Sequence, residues 1–250
     1  MRKFGLIGYP LGHSFSKKYF TEKFVVELIE GCSYENYPIP DISQLPVLTA
    51  AERDLRGLNV TIPYKSAVIP YLHRIEKDAA EVGAVNVIKI SRTGNIAELH
   101  GYNSDITGIM ATLLPLLGTG IQNALVLGTG GASKAVCYVL DRISVGYTLV
   151  SRTRKPGCLS YPDINKEIID NSRLIINTTP LGMYPGTETS PEIDYSLLDE
   201  RHLLFDLVYN PEMTLFLKKG QERGCRTVNG MKMLIAQAER SWEIWNDDSL

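Results

Sequence analysis

The chain has 250 residues, more than one average domain and fewer than two large ones, and its hydrophobic and charged contents are ordinary for a globular protein. A formal net charge of −2, with no polybasic run and no acidic tail, gives no reason to expect nucleic acid or an anionic membrane surface as a partner. No apolar run approaches the length that crosses a bilayer, and the N-terminal MRKFGLIGYP meets Gly and Pro too soon for a signal peptide's apolar core, so a cytoplasmic protein is expected. Cys32, Cys137, Cys158 and Cys225 are dispersed and form no C-x-x-C pair, so they read as free thiols, mostly buried. The four histidines show no metal-ligand spacing, and no metal site is expected.

In chain order, residues 3–8 read as a first strand ending in a Gly-Pro turn. Phe20, Phe24 and Leu28 have helical spacing within 16–30, and Gly31 is a good stop. A strand is expected over 33–39, then a helix over 42–50 led by Asp41 or Ser43 as a cap. Leu58 to Ile62 reads as a strand and Ser66 to Leu72 as the start of a helix. AAEVGAVNVIKI reads as a helix end followed by a strand, and Gly94-Asn95 as a hairpin turn. A helix over 106–117, closed by Gly118, bridges to a second region. There, residues 123–153 read as strand, Gly-rich turn, helix and strand. RLIINTTPLGM and HLLFDLVYNP give two more parallel strands. A helix over 214–223, a short strand in CRTVNG and a long helix from Met231 to Trp245 complete the chain. This is a pattern of two α/β units sharing a cleft, with no flexible linker between them.

The turn in VLGTGGASKAV follows an apolar strand and opens a helix, the context in which glycines let backbone N–H groups approach a pyrophosphate. Gly128 and Gly130 fit the G-x-G-x-x-G spacing, Ser133 takes the third position, and Thr129, Gly131 and Ala132 complete the loop. A plain tight turn in an α/β domain is the alternative. An enzyme using NAD usually carries an acid at the end of the next strand; here TLVSRTRK offers Ser151, Arg152, Thr153, Arg154 and Lys155 instead. Guanidinium groups suit a ribose 2′-phosphate, so NADP is favoured, the alternative being a solvated basic turn.

In the first region, polar residues gather at strand ends: Ser14 and Ser16, Asn59, Thr61 and Lys65 in NVTIPYK, Asn86 in GAVNVI, Asn103 and Asp105 in GYNSDITG. Asn59 and Thr61 are two apart and so share one face of a strand, which turns Val60 and Ile62 toward a core. Taken singly, each could be a cap or a turn residue; Asp105 could cap the helix at Ile106, and Ser14 or Ser16 the helix near 17. Together they lie where open α/β units bind ligands, and they suit a small polyhydroxylated or carboxylate ligand.

The motifs GYPLGHSFS, NVTIPYK, GAVNVI, GYNSDITG, GTGGASKA, SRT, NTTPLGM, DLVYNP and NGMKMLIAQA occur in an order that resembles the shikimate dehydrogenases and their quinate-using relatives along nearly the whole chain. The resemblance implies a substrate-binding catalytic domain over 1–105 plus 230–250. It implies an NADP-binding, Rossmann-type doubly wound parallel sheet over 106–229. Ser14 and Ser16 would hold the ligand carboxylate, and Asn59, Thr61, Asn86 and Gln237 its hydroxyls and frame. Lys65 and Asp105 would be the catalytic pair, with Lys65 stabilising the developing alkoxide and delivering its proton. Tyr209 would lie near the substrate, and Thr178, Gly230 and Met233 near the cofactor. Lys17, Lys18 and Tyr19, Tyr102, and Met231 with Lys232 depart from the family's usual residues. The implied reaction is reversible NADPH-dependent reduction of 3-dehydroshikimate, by a monomer or homodimer. A quinate/shikimate dehydrogenase with relaxed substrate or NAD use, and a non-catalytic NADP-binding regulatory module, are the other readings. A folate-type methylene dehydrogenase fits a hydroxyl-binding ring poorly.

Overall fold

Strand β1 (Arg2–Gly8) is an apolar run because both of its faces are covered: Phe4 and Leu6 enter one core cluster and Ile7 enters the other. It belongs to a computed structural model that describes residues 1–11, 15–94, 96–118 and 120–247. The chain divides into two units, Met1–Ser104 with Ala238–Leu250, and Asp105–Gln237.

In the first unit, α1 (Phe15–Val26) follows β1 and leads to β2 (Cys32–Pro38); α2 (Leu45–Ala51) precedes β3 (Leu55–Val60). Then come β4 (Arg74–Ile75), α3 (Lys77–Val82), β5 (Val87–Thr93) and β6 (Ile96–Tyr102). The sheet order is β2-β1-β3-β5-β6-β4. β1 runs parallel to β2 and β3, while β5 is antiparallel to β3 and β6.

Helix α1 stops at Val26, earlier than its spacing implied, and Leu28 takes a φ of 53° ahead of Gly31. Asp41 does cap, but it caps a short 3-10 turn over Ile42–Gln44, its carboxylate accepting from the Ser43 N–H. The helix expected from Ser66 is reduced to a 3-10 turn at Ile69–Tyr71, since Pro70 cannot complete a helical hydrogen bond to Ser66.

The second unit begins with α4 (Asp105–Leu113), which ends before Pro115 and not at Leu117. It continues through β7 (Asn123–Leu127), α5 (Gly131–Arg142), β8 (Gly146–Ser151), β9 (Cys158–Ser160) and α6 (Lys166–Asn171). β10 (Leu174–Asn177), β11 (Leu203–Asp206), α7 (Leu215–Gln221), β12 (Arg226–Val228) and α8 (Met231–Asn246) follow. All strand pairs here are parallel, in the order β9-β8-β7-β10-β11-β12. Two mononucleotide-binding halves give this order, and the reversal between β7 and β10 is where such sheets take a ligand. The unit is a Rossmann-type sheet. β9 and α6 were not legible in the sequence, being only three and six residues long. Residues 231–237 of α8 belong to this unit and the rest of that helix to the first.

All four cysteines are free; Cys137 and Cys225 are buried and Cys32 and Cys158 half-buried. Among the described residues, no helix is long and apolar enough to cross a membrane, and no three His, Cys, Asp or Glu side chains are grouped to hold a metal ion.

Candidate active site

In the first unit the candidate groups meet at one end of β3. The strand stops at Val60, so the expected inward turn of Ile62 is wrong: Val60 is buried, but Ile62 is 67% exposed. The chain has left the sheet, and Tyr64 N–H closes a turn onto Thr61 O at 2.9 Å. Before that point the period of two holds. Leu58 and Val60 pack in one core cluster, while Gly57 and Asn59 face α8, where a Cβ on Gly57 would run into the Trp245 indole. Leu55 joins the Leu58 face because the pairing with β1 shifts register there, skipping Arg56.

Lys65 is positioned by its neighbours. Tyr64 and Val68 are buried on either side, and the Tyr64 hydroxyl donates to Ile39 O at 2.7 Å. Val85 N–H donates to Lys65 O at 2.7 Å, tying the half-buried lysine to the segment that carries Asn86. That segment and the one after β6 pin each other. Asn103 Nδ2 donates to Ala84 O at 2.8 Å, and Ser104 N–H donates to Asn86 Oδ1 at 2.7 Å. Asn86, Asn103 and Ser104 are all buried. Asp105 is the first residue of α4 and is also buried; it opens the second unit, whereas Lys65 belongs to the first.

Ser16 is the second residue of α1 and is hydrogen-bonded to the Tyr34 hydroxyl, which donates in turn to Asn59 Oδ1 at 2.8 Å. Burial pushes the Tyr34 phenol well above its ordinary range, so it stays protonated and can donate. Ser14 lies outside the described residues. Lys17 and Lys18 are exposed and pair with Glu35 and Glu22 at 2.6 and 3.8 Å, so these departures point to solvent. Tyr102 is packed in the apolar cluster of Phe4 and Trp245.

In the second unit the glycine loop lies at the switch point of the sheet. Gly128 has a φ of 113°, and a Cβ there would lie 2.5 Å from Thr178 Oγ1, so only glycine lets the loops after β7 and β10 approach this closely. Thr178 Oγ1 donates to Leu127 O at 2.7 Å. A Cβ on Gly130 would meet nothing within 4 Å. Gly130 is the N-cap of α5, it makes no side-chain cap bond, and the first turn holds no acid. The end of this twelve-residue helix is thus open to an anion, with the dipole favouring it.

Ser151 is buried at the end of β8; Arg152, Thr153, Arg154 and Lys155 are exposed beyond it. Lys155 Nζ donates to Thr129 Oγ1 at 3.0 Å, which brings its ammonium to the glycine loop. These residues fit a dinucleotide with a 2′-phosphate: open amides for the pyrophosphate, cations where NAD enzymes place an acid. Gly230 N–H donates to Val208 O at 3.0 Å, and a Cβ on Gly230 would run into the Leu207 carbonyl. Met233 is buried against Gly108 of α4, while Ala132, Tyr209 and Gln237 are half-buried.

A family model described as the shikimate dehydrogenase substrate-binding domain matches residues 6–88. A protein of Methanococcus aeolicus named shikimate dehydrogenase (NADP(+)) is 34% identical over 257 residues, covering 96% of this chain and 90% of that one. The chain belongs to the shikimate dehydrogenase family. Among solved structures, a chorismate mutase/shikimate 5-dehydrogenase fusion protein from Clostridium acetobutylicum superposes with a TM-score of 0.85 at 35% identity, covering 98% of this chain and 91% of that one. Shikimate 5-dehydrogenase from Thermus thermophilus, in complex with NADP(H) and shikimate, also gives 0.85, at 27% identity over 98% and 94%.

Asp206 is not among the residues that the sequence singles out. It is fully buried at the end of β11. Asn177 Nδ2 and Val208 N–H donate to its Oδ1 at 2.9 and 3.0 Å, and Thr214 Oγ1 donates to its Oδ2 at 2.5 Å. Burial pushes its carboxyl up to about 6, with the three donors pulling the other way. The loops after β10 and β11, which carry Thr178 and Tyr209, are tied together through this one side chain. An acid ending an otherwise apolar strand, in LLFDLVYNP, was the signal available.

Proposed function

We propose that this chain is an NADP-dependent shikimate dehydrogenase that reversibly reduces 3-dehydroshikimate to shikimate, a step in aromatic amino-acid biosynthesis. One observation carries the reading. The groups that the family motifs assign to the substrate, Thr61, Lys65 and Asn86, sit at one edge of the first sheet, with Lys65 bonded through its carbonyl to the residue before Asn86. Residues 1–105 with 230–250 bind the substrate. Ser14 and Ser16 take its carboxylate, Thr61, Asn86 and Gln237 its hydroxyls, with Asn59 in the frame and Tyr209 nearby.

The second unit binds the cofactor. The amides of Gly128 to Ala132 meet the pyrophosphate, and Ser151 to Lys155 meet the 2′-phosphate end. Thr178, Gly230 and Met233 line the nicotinamide side. Bound NADPH supplies the hydride. Lys65, as an ammonium, stabilises the oxygen that gains charge and gives it a proton, and Asp105 is the second catalytic group. In the reverse direction the same lysine takes the hydroxyl proton. The free thiols fit the cytoplasm. A monomer or homodimer suffices, since no group in this scheme comes from a partner.

Initial rates with shikimate and quinate, each with NADP and NAD, followed by the absorbance of the reduced nicotinamide, test the reading. Shikimate with NADP should be the fastest pair, and no turnover with any pair leaves only a cofactor-binding module. Lys65→Ala should lower kcat by about 10²–10⁴-fold with little change in KM for shikimate. A kcat within a few-fold of the wild type removes Lys65 from the catalytic step.

A further inference from the structure

Six side chains of the first unit form one hydrogen-bonded path, and three of its middle members, Tyr34, Ser241 and Ser104, have no place in the scheme above. Ser16 bonds Tyr34, and Tyr34 bonds Asn59. Asn59 Nδ2 donates to Ser241 Oγ at 2.9 Å and, more weakly, to Asn86 O at 3.4 Å. The hydroxyls of Ser241 and Ser104 lie 3.2 Å apart, and Asn86 Nδ2 donates to Ser104 Oγ at 3.1 Å. The path joins α1, β2, β3 and α8 to the segments before β5 and after β6.

The orientation of both amides follows from partners that have only one role. The Asn86 carbonyl can only accept, so Asn59 must turn Nδ2 toward it and Oδ1 toward Tyr34. The Ser104 N–H can only donate, so Asn86 must turn Oδ1 toward it and Nδ2 toward Ser104 Oγ. Both amide hydrogens of Asn59 are therefore committed to Ser241 and to the Asn86 carbonyl. Ser241 and Ser104 are fully buried, so no water competes for these bonds.

We propose that Ser241, with Asn59 and Ser104, is a positioning residue that fixes the rotamer and amide orientation of the substrate-binding Asn86. The inference rests on the shikimate dehydrogenase reading for what Asn86 binds. Asn59 acts on the substrate through Asn86, not as a direct donor to it. Helix α8 does not depend on Ser241 for its place. Trp245 stacks on Phe4 with centroids 4.9 Å apart, and its indole donates to Ile88 O at 3.1 Å. Removing one hydroxyl should thus leave the helix seated and disturb the path.

The test is Ser241→Ala, assayed with NADP and shikimate, together with side-chain amide NMR of Asn86. KM for shikimate should rise about five- to tenfold, the size of one lost hydrogen bond, with KM for NADP unchanged within about twofold. The Asn86 side-chain amide signal should shift, because Ser104 Oγ links the two side chains. Two results overturn the proposal: a shikimate KM within about twofold of the wild type, or equal rises in both KM values, as a general loosening would give. If the wild type itself does not turn over shikimate, the enzyme reading has failed separately. The NMR result then decides alone, and an unshifted Asn86 signal refutes positioning.

Discussion

Both units hold strand-end loops with buried polar groups, but with different chemistry. In the first, the path from Ser16 to Asn86 is built from hydroxyls, a phenol and two amides, with no carboxylate in it. In the second, a single carboxylate, Asp206, collects three donors from Asn177, Val208 and Thr214. An amide has donors at one end and an acceptor at the other, so amides can be chained across several elements. A carboxylate only accepts, so it gathers donors at one point and cannot pass a bond onward. A neutral chain carries no net charge into the core, whereas Asp206 brings a charge that burial disfavours. The path in the first unit should therefore contribute many small terms insensitive to pH, and Asp206 in the second one large term that depends on it.

Deleting the node is the strongest way to break that contrast. Asp206→Ala leaves the Asn177 amide, the Val208 N–H and the Thr214 hydroxyl without their acceptor, all in a buried place. Unpaired buried donors cost about 1–3 kcal/mol each, and relaxation recovers part of it, so a loss of about 3 kcal/mol or more is expected. Denaturant unfolding measures it. NADP binding should weaken in parallel, because Thr178 follows Asn177 directly. A variant within about 1 kcal/mol of the wild type would show that the loops are held by something else.

The second prediction concerns pH. Folded Asp206 keeps its proton up to about 6, higher than an ordinary aspartate in the unfolded chain. Between about pH 4 and pH 6 the native state binds more protons than the unfolded state at this site, so its contribution to stability falls as pH rises through that window. The fall should be on the order of 2–3 kcal/mol and should level off above pH 6. Asp206→Asn cannot titrate. The stability difference between wild type and this variant, measured against pH, should change across the window in that sense. A difference that stays constant between pH 4 and 6 would refute the assignment.

The legibility of the two regions differed for the same physical reason. The Rossmann-type unit was readable because β7, its glycine turn and α5 are local features. Beyond Asn123, β7 is buried and needs a continuous apolar run, and Gly128 needs a φ that side chains rarely adopt. The first unit's polar residues were readable as misfits in apolar strands, and the alternation at Val60 and Asn59 held. It failed at Ile62, because strand length depends on pairing partners that the sequence does not display. Tyr34, Ser104 and Ser241 carried no local signal at all. Tyr34 and Ser241 are 25 and 182 residues from Asn59, and each alone looks like an ordinary strand or helix residue. Asp206 stands out in DLVYNP only as an acid beside apolar residues, and its donors, Asn177, Val208 and Thr214, come from separate places in the chain.

The smallest expected effect sharpens the comparison from the neutral side. Tyr34→Phe keeps the ring, which stacks on Phe20 with centroids 4.7 Å apart, and removes only the hydroxyl. Asn59 Oδ1 then loses its donor and Ser16 loses its partner. The cost should be about 1 kcal/mol, since Asn59 is only partly buried and a single neutral hydrogen bond contributes that much. Tyr34 is protonated throughout the range in which Asp206 titrates, because burial raises its phenol further. The difference between wild type and Tyr34→Phe should therefore be flat from about pH 4 to pH 6, where the Asp206→Asn difference slopes. A slope of the same size at Tyr34 would mean that a titrating group reaches the first unit's path, and the division between a neutral frame and a charged node would have to be given up.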